Sequence, residues 1–476
     1  MEFYIGAMFI IILFGILSII LLDEKKSKKI GLIISGIILL SALSLLLNLF
    51  LSGAVSYKEN YGLYISILNI MLQFQLNAIS VALIVMVSIV AFAAILAGNI
   101  EKINSKGKNA LVLLFELSAI ALFASANLFL FYIFWDVGVI TLFFMLYLYG
   151  SANRKRAATK FFIYEFAASL LLLLAIIILY YSIQPHTFNI NAIIQNASSI
   201  PKNTQELIFL LFFLAFVINM PIFPFHSWLP DAYTEASTQG SMLLSSTLAK
   251  FGGYGMLLLF LILPISHLPK LAFGIFILGL ISVFYAAFTL MSQRDIKRVI
   301  AYSSIVEMGI ILVGIASLNQ LGIEGAAFAM FAHGLIISLM FLVAGSIGHI
   351  FLNRDIKLLS GIAKNTLSSA YTFMFGIFAI AGVPLTVGFI GDILIFSSAF
   401  STYSIIGLLP LFALIILVGF LYYINSKTVF NTGEYSKEIN YIGIEQKAGY
   451  IFLITAIFVF GIMPFLILNL FSTLSF

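Results

Sequence analysis

Seven ionisable side chains interrupt the long apolar stretches of this 476-residue chain. An ionisable group at membrane depth is costly to bury, so such residues indicate a function by default. Carboxylic acids, lysine and histidine can each hold and release a proton, and a line of them suits proton transfer through water. The seven residues are Glu116, Asp136, Glu165, Lys250, Glu307, His333 and Asp392. We predict that they form a polar axis across the middle of the membrane.

Each of these residues also has a purely structural interpretation. A buried ion pair can fix helix packing without moving a proton, which applies to Asp136 and Lys250. We favour this interpretation for Glu165, which is close to Lys160 and to one end of its segment. His333 could equally be a packing residue, and the two interpretations stay open here.

The solvent of this chain is inferred from its composition. Hydrophobic residues make up 62% of the chain and charged residues 9%, against about 25% charged in a typical globular protein. One spanning helix with its loop uses roughly 30–35 residues, so the length allows about fourteen spans. The length of the repeat disfavours a membrane barrel, whose strands would be about 10 residues of alternating polarity. The predicted fold is therefore all-α and polytopic.

The apolar runs divide the chain into four predicted regions. These are 1–108 with the first three spans, 109–263, 264–428, and 429–476 with a loop and the last span. The stretch 53–77 is mildly amphipathic and is predicted to lie along the membrane interface. The runs themselves are 3–22, 30–51, 78–99, 109–126, 128–150, 158–183, 206–225, 239–263, 270–291, 298–318, 325–351, 367–400, 403–426 and 447–472.

Lysine and arginine are distributed unequally between the two sets of loops. Of the 24 basic residues, twenty follow odd-numbered spans, three lie in the other loops, and Lys250 lies inside a span. Basic loops stay in the cytoplasm, so the sequence predicts a cell-membrane protein with both termini outside. Ser27 is then cytoplasmic and Asn203 is external. The net charge of +5 reports this orientation and does not indicate nucleic-acid binding.

Several kinds of site are excluded or not indicated by the sequence. The chain has no cysteine, so disulfides, thiolate metal sites, iron–sulfur ligation and cysteine nucleophiles are absent. We predict no metal site and no bound cofactor.

Proline interrupts two of the predicted spans. Span 7 runs through Pro221, Pro224 and Pro230, and span 12 contains Pro384 shortly before Asp392. Proline removes a backbone donor and clashes with the preceding turn, so both helices should break. Broken helices in corresponding positions indicate two inverted repeats, here spans 4–8 and 9–13, with ion sites at mid-membrane. Asp392 could alternatively cap the restarted helix.

Six short motifs of the chain can be compared with known families. They are Phe131-Tyr-Ile-Phe-Trp135-Asp136, Pro224-Phe-His226-Ser-Trp228-Leu-Pro230-Asp231, Lys250-Phe-Gly252-Gly253, Asp295-Ile-Lys297-Arg298, Ala332-His333-Gly334-Leu335 and Gly382-Val-Pro384 leading to Asp392. Together they resemble the antiporter-like subunits of respiratory complex I (NADH:quinone oxidoreductase), and within that family most of all subunit M. The resemblance covers roughly residues 75–430 and is shared by Mrp-type sodium/proton antiporters and membrane-bound hydrogenases.

The resemblance implies a function as well as a fold. The fold would have fourteen helices with two inverted five-helix repeats, in agreement with the division above. Electron transfer to quinone would occur in other subunits, while this chain would bind no redox cofactor and would move protons in response. Its partners would be other membrane-arm subunits within the lipid bilayer, and the transported ion would be the proton or, alternatively, sodium.

The family's functional positions carry over unevenly. Its span 5 glutamate corresponds to Asp136, its span 8 lysine to Lys250, and its span 12 carboxylate to Asp392. His333 matches the span 11 histidine, whereas Glu307 replaces a histidine usual in subunit M. The predicted site comprises Glu116, Asp136, Asn219, Lys250, Glu307, His333 and Asp392.

Asn219 is the one serious departure from the family pattern. The family has a lysine there, which pairs with the span 5 carboxylate, and asparagine cannot take up a proton. Three alternatives stay open. Lys250 pairs with Asp136 directly or through water, or water and Asn219 pass protons without a charge switch, or the chain has lost pumping and is structural.

The functional hypotheses follow from these residues. The leading one is a proton-translocating membrane-arm subunit of a complex-I-like oxidoreductase. The alternatives are a subunit of a Mrp-type cation/proton antiporter or membrane-bound hydrogenase complex, or a non-pumping structural subunit.

Overall fold

A computed structural model describes most of the chain as a bundle of helices. The basic loop residues Lys102 and Lys437 lie outside the described residues. The described residues are 4–54, 56–65, 70–98, 100, 105–263, 269–429 and 441–471.

The first half contains eleven helices and one hairpin within the described residues, and shorter turns join some of the helices. The helices are α1 (Tyr4–Leu21), α2 (Glu24–Ser52), α3 (Ala78–Leu96), α4 (Ser105–Ala124), α5 (Leu128–Tyr149), α6 (Arg154–Ser182), α7 (Ile190–Asn196), α8 (Lys202–Asn219), α9 (Trp228–Glu235), α10 (Thr238–Leu243) and α11 (Ala249–Ile262). The hairpin strands are β1 (Ser56–Ile65) and β2 (Ile70–Asn77).

The described residues of the second half form nine α-helices, most of which are joined by short turns and loops. Its helices are α12 (Pro269–Leu290), α13 (Ile296–Ala316), α14 (Gln320–Ile350), α15 (Ile362–Asn365), α16 (Leu367–Ile380), α17 (Val387–Tyr403), α18 (Leu409–Ile424), α19 (Ile444–Ile462) and α20 (Phe465–Phe471).

The apolar helices are long enough for this chain to cross a membrane many times. Among the described residues, thirteen helical segments have the length and composition of a span, and α16 is a shorter apolar helix. One of these segments, Val387–Val429, contains both α17 and α18, which a 3₁₀ turn joins. The protein is a multi-pass membrane protein.

Burial separates a central set of helices from a peripheral set. The apolar windows of α13 and α14 are wholly buried by the rest of the chain, and that of α3 is nearly so, whereas only 28% of the α1 window is buried. Peripheral helices present large apolar side chains such as Ile10, Leu148 and Phe412 to the outside. These side chains suit contact with lipid, and the polar residues are therefore confined to the centre.

The predicted amphipathic stretch 53–77 forms an antiparallel hairpin. Ser56 of β1 pairs with Asn77 of β2, and the pairing continues to Ile65 opposite Ile70. The side chain of Gln73 accepts a hydrogen bond over 2.9 Å from Asn189, which immediately precedes α7. The side chain of Gln75 accepts one over 2.7 Å from Asn191, the second residue of α7. The hairpin thus packs against the segment between α6 and α8, on the face opposite the basic loops.

The first predicted helix break lies between α8 and α9. Helix α8 ends at Asn219 and α9 begins at Trp228, with the three prolines in and just after the interval. The indole Nε1 of Trp228 donates to the carbonyl oxygen of Ile218 over 3.0 Å. The break therefore satisfies part of its own backbone, as a break inside a membrane must.

The second predicted break lies between α16 and α17. Helix α16 ends at Ile380 and α17 restarts at Val387. Gly382 has a φ of +64°, a left-handed conformation that glycine adopts without steric cost. Pro384 follows in the interval, so the chain cannot continue the helix through it.

Ion pairs fix the helix ends on the face of the basic loops. Asp231 of α9 binds Lys160 of α6 at 2.8 Å and Arg298 of α13 at 3.0 Å. Asp295 caps the start of α13 and binds Arg354 at 3.0 Å. Burial raises the pKa of the Asp295 carboxyl group, and the nearby Arg354 opposes that rise. These ion pairs hold α6, α9 and α13 together on the face of the bundle that carries the basic loops.

We expect single cysteines at positions 26 and 203 to react from opposite sides of the membrane. Ser27, the position that the sequence suggests for the cytoplasmic side, is fully buried in α2, whereas Lys26 and Asn203 are exposed. The chain has no native cysteine to obscure the signal. An impermeant maleimide applied to intact cells should label Asn203→Cys and should label Lys26→Cys only after the cells are opened. Labelling of both variants in intact cells would contradict the predicted topology.

Candidate functional site

Lys250 occupies the centre of the bundle, just after an irregular turn. Helices α10 and α11 are joined by a single turn of π-helix over Leu244–Leu248, in place of the uninterrupted span 239–263 that the sequence predicts. Lys250 is fully buried, and its Nζ donates to the carbonyl oxygen of Ser245, inside that turn, over 2.8 Å. Turns of this kind inside α-helices are frequent at functional sites. The widened turn here supplies one of the polar partners of the buried lysine.

The second partner of Lys250 is His333 of α14. The Lys250 Nζ and the His333 Nδ1 are 2.6 Å apart. When the ammonium group donates, Nδ1 must be the acceptor, and the imidazole proton then lies on Nε2. If the proton moves to Nδ1, the uncharged amine accepts instead. The pair can therefore share one proton between two helices.

A small cavity joins His333 to the two carboxyl groups of the second half. The cavity has a volume of about 20 Å³ and is lined by Glu307 of α13, His333 of α14 and Asp392 of α17. That volume is sufficient for one water molecule with polar partners around it. His333 Nε2 has no hydrogen-bond partner among the described residues. The imidazole thus offers one nitrogen to Lys250 and leaves the other for the cavity it lines.

Asp392 lies against the second break but does not cap the helix there. The N-cap position of α17 is Thr386, and Asp392 is the sixth residue of the helix, beyond the first turn. Its Oδ2 lies 3.1 Å from the place that a Cβ atom at Gly382 would occupy. The capping interpretation of Asp392 is therefore wrong. The carboxyl group borders both the broken backbone and the cavity.

Asn219 connects three helices at the first break. It is fully buried at the end of α8, and its Nδ2 donates to Glu165 Oε2 of α6 over 2.8 Å. The backbone N–H of Gly252 in α11 donates to the Asn219 Oδ1 over 2.8 Å. The amide therefore binds a carboxyl group on one side and the Lys250 helix on the other.

Asp136 is placed apart from Lys250. It is half-buried on α5, and its Oδ1 accepts a hydrogen bond from the hydroxyl of Ser169 over 2.6 Å. Lys250 instead binds His333 and Ser245, and among the described residues no hydrogen bond or ion pair joins it to Asp136. Direct pairing of Lys250 with Asp136 is thus not formed.

Glu116 and Glu165 each differ from the role expected of them from the sequence. Glu116 is fully buried on α4, and neither of its carboxyl oxygens has a hydrogen-bond partner among the described residues. Glu165, which we interpreted as a packing residue near Lys160, binds Asn219 instead, while Lys160 binds Asp231. No local signal in the sequence indicates this contact, since Glu165 and Asn219 are 54 residues apart on different helices.

The site contains oxygen and nitrogen donors in a line rather than in a cluster. Among the described residues, no group of three or more His, Asp or Glu side chains is placed to hold a metal ion. A succession of buried side chains that are able to bind a proton is an arrangement that suits stepwise proton transfer.

The fold and the site together define a class: a multi-pass helical membrane protein in which a buried line of ionisable side chains meets two broken helices. Residues 125–423 match the family described as NADH:quinone oxidoreductase/Mrp antiporter, TM. The chain belongs to this family.

Curated relatives agree with that assignment, and a solved structure has the same fold. The chain is 32% identical over 462 residues to the NADH-quinone oxidoreductase subunit M of Rickettsia felis, covering 94% of this chain and 92% of the relative. It is 34% identical over 396 residues to the F(420)H(2) dehydrogenase subunit M of Methanosarcina mazei, covering 82% and 79%. It also resembles a chain of respiratory complex I from Thermus thermophilus, with a TM-score of 0.87, 23% identity and coverage of 99% and 100%.

We expect Gly252→Ala to destabilise the protein by about 1–3 kcal/mol, because the added methyl group overpacks the first break. A Cβ atom there would lie 2.7 Å from the Phe216 carbonyl oxygen and 2.9 Å from Asn219 Oδ1. Gly274→Ala is the matched control, since nothing lies within 4 Å of a Cβ atom at that position. Thermal unfolding in detergent should show a lower melting temperature for Gly252→Ala alone. Equal melting temperatures would mean that α8 and α11 are not in tight contact.

Proposed function

We propose that this chain is a proton-translocating membrane-arm subunit of a complex-I-like oxidoreductase. Electron transfer to quinone in other subunits of the assembly drives proton movement through this one, which itself carries out no redox chemistry. The observation that supports the proposal best is a succession of polar side chains, here called the polar line, that crosses the bundle of this family member past both of its broken helices.

The line crosses seven helices in a fixed order. It begins on α5 at the half-buried Asp136 and ends beside the second break on α17. Its members in order are Asp136, Ser169, Glu165, Asn219, Lys250, His333, Glu307 and Asp392. Helices α5 and α6 contribute its first part, α8 and α11 the middle, and α14, α13 and α17 the last part.

The Lys250–His333 pair is the central step of the proposed transfer. A proton on the Lys250 ammonium passes to His333 Nδ1 across 2.6 Å, and the imidazolium then holds a proton on each nitrogen. Release from Nε2 delivers a proton through the cavity water to the carboxylate of Glu307 or Asp392. Lys250 is left uncharged and ready to take up the next proton. A neighbouring subunit can drive the step by changing the electric field at Lys250.

The proposal includes the topology predicted from the loops. We infer about fourteen spans, both termini outside, in the cell membrane, because the basic loops lie on one face and the hairpin β1–β2 on the other. We also propose the two inverted repeats within 109–263 and 264–428. Each contains one broken helix, the α8–α9 pair in the first and the α16–α17 pair in the second, which supports the division.

We expect Lys250→Met to lower the number of protons moved per quinone reduced, because methionine keeps the volume but removes the exchangeable proton. Quinone reduction itself should continue, since it occurs in other subunits. The measurement uses the assembly purified from native membranes and reconstituted in sodium-free liposomes, where acidification and quinone reduction are followed together. Lys270→Met, at an exposed end of α12, is the control. A normal proton yield in Lys250→Met would favour the structural alternative.

We expect Asp392→Asn to assemble normally and to lower the proton yield in the same assay. Asparagine keeps the size and polarity of the side chain at the second break but cannot release a proton. Because Asp392 does not cap α17, no loss of helix stability is expected. The melting temperature of the variant reports on the fold separately from the proton yield. An unchanged proton yield would remove Asp392 from the pathway.

A further inference from the structure

Glu165 is a buried acid whose charge no cation compensates in the described contacts. It lies on α6 with no exposed surface. The nearest lysine along the helix, Lys160, is bound to Asp231 at 2.8 Å. Glu165 Oε2 accepts from Asn219, and Glu165 Oε1 has no hydrogen-bond partner among the described residues. A carboxyl group without a cationic partner changes the local charge by a full unit when it gains or loses a proton.

Asn219 is locked in one orientation by its other contact. The Gly252 N–H can only donate, so the atom facing it must be the amide oxygen. The amide NH₂ group consequently faces Glu165, and Oε2 is held as an acceptor. The carbonyl oxygen of a carboxylic acid is the better acceptor, so we place a proton bound by Glu165 on Oε1, the oxygen without a partner among the described residues.

Glu165 also occupies a position between the two charged groups of the first half. Ser169 is one turn further along the same face of α6, and its hydroxyl donates to Asp136 over 2.6 Å. On the other side, Asn219 binds Gly252, two residues after Lys250 in α11. Glu165 therefore lies between Ser169 on its own helix and Asn219, which contacts the Lys250 helix.

We propose that Glu165 is the proton-carrying group of the first half of the chain and that Asn219 is its positioning residue. In the transfer step, Oε1 rotates toward the Ser169 hydroxyl, one turn along the same face of α6, and the Glu165 Oε1–H bond breaks as its proton passes to the hydroxyl oxygen. The Ser169 hydroxyl gives its own proton to the Asp136 carboxylate, so Glu165 becomes the carboxylate and Asp136 the acid. The amide donates to Oε2 in both states and transmits the charge change to α11. This inference rests on the proposed function of the chain.

The test compares Glu165→Gln with the control Glu206→Gln, an exposed glutamate near the start of α8. The purified assembly is reconstituted in liposomes, and protons moved per quinone reduced are measured for both variants and for Lys250→Met. Infrared difference spectra recorded across a pH titration follow the carbonyl stretch of protonated carboxyl groups. We expect Glu165→Gln to lose one such band and to lose proton yield, with Glu206→Gln unchanged in both.

Asn219→Ala tests the positioning role separately. Removing the amide should lower the proton yield while the Glu165 band persists at a shifted frequency, because Oε2 loses its donor. A merely structural asparagine would leave the frequency where it is. An unshifted band in a folded Asn219→Ala variant would therefore overturn the role of Asn219.

The remaining outcomes separate this inference from the function on which it rests. A normal proton yield in Glu165→Gln together with a reduced yield in Lys250→Met overturns the role of Glu165 and leaves the proposed function in place. Normal yields in both variants overturn the proposed function. A reduced yield in Glu165→Gln with every carboxyl band retained shows that Glu165 acts only as a fixed anion, which also overturns the inference.

Discussion

The absence of water in the hydrocarbon region is the constraint on which the rest of the structure depends. Backbone groups freed by a helix break need partners inside the protein, and a buried ionisable side chain is costly without one. The first break meets this demand with Trp228, which binds Ile218, and with Asn219, which binds Gly252 of another helix. Asn219 also binds the carboxyl group of Glu165, so the first break and a buried ionisable residue are joined through one amide.

The two halves of the chain meet this constraint by different chemistry. The first half uses an amide and a carboxyl group in direct contact, Asn219 and Glu165, with a hydroxyl group nearby. The second half keeps a small cavity between His333 and two carboxyl groups, where a water molecule can complete the hydrogen bonds. Lys250 is bonded to the second half through His333, although it belongs to the first half by sequence. The functional boundary therefore does not coincide with the boundary between the proposed repeats.

The sequence predicts well those features that have a local cause. The spans follow from apolar runs, and both breaks follow from proline at positions where a helix cannot continue. The proximity of Glu307, His333 and Asp392 also agrees with their depth on three consecutive spans. The hairpin had a usable signal, since the alternation of Gln73 and Gln75 with apolar neighbours has the period of a strand. We interpreted that alternation only as amphipathic character.

Features that depend on helix rotation could not be predicted. Helix α14 is apolar on all sides, so its sequence does not indicate which face meets Lys250. The Lys250–His333 contact joins residues 83 positions apart, and the Glu165–Asn219 contact joins residues 54 apart. The general family pattern pointed to Asp136 as the partner in the first half. The lysine at position 219 is replaced by an amide here, and the carboxyl group it meets is on α6 and not on α5.

The π turn at Leu244–Leu248 also has a consequence for how the chain tolerates a change in length. A π turn accommodates one residue more than an α turn, and each residue of an α-helix advances the azimuth by about 100°. Losing one residue from this turn would let it close as an α turn, so Lys250 and Gly252 would keep their directions toward α14 and α8. The loss would instead disturb the contact of Lys250 with the Ser245 carbonyl oxygen, which lies inside the turn. In a lipid-facing helix such as α12, by contrast, the loss of one residue rotates every residue that follows it.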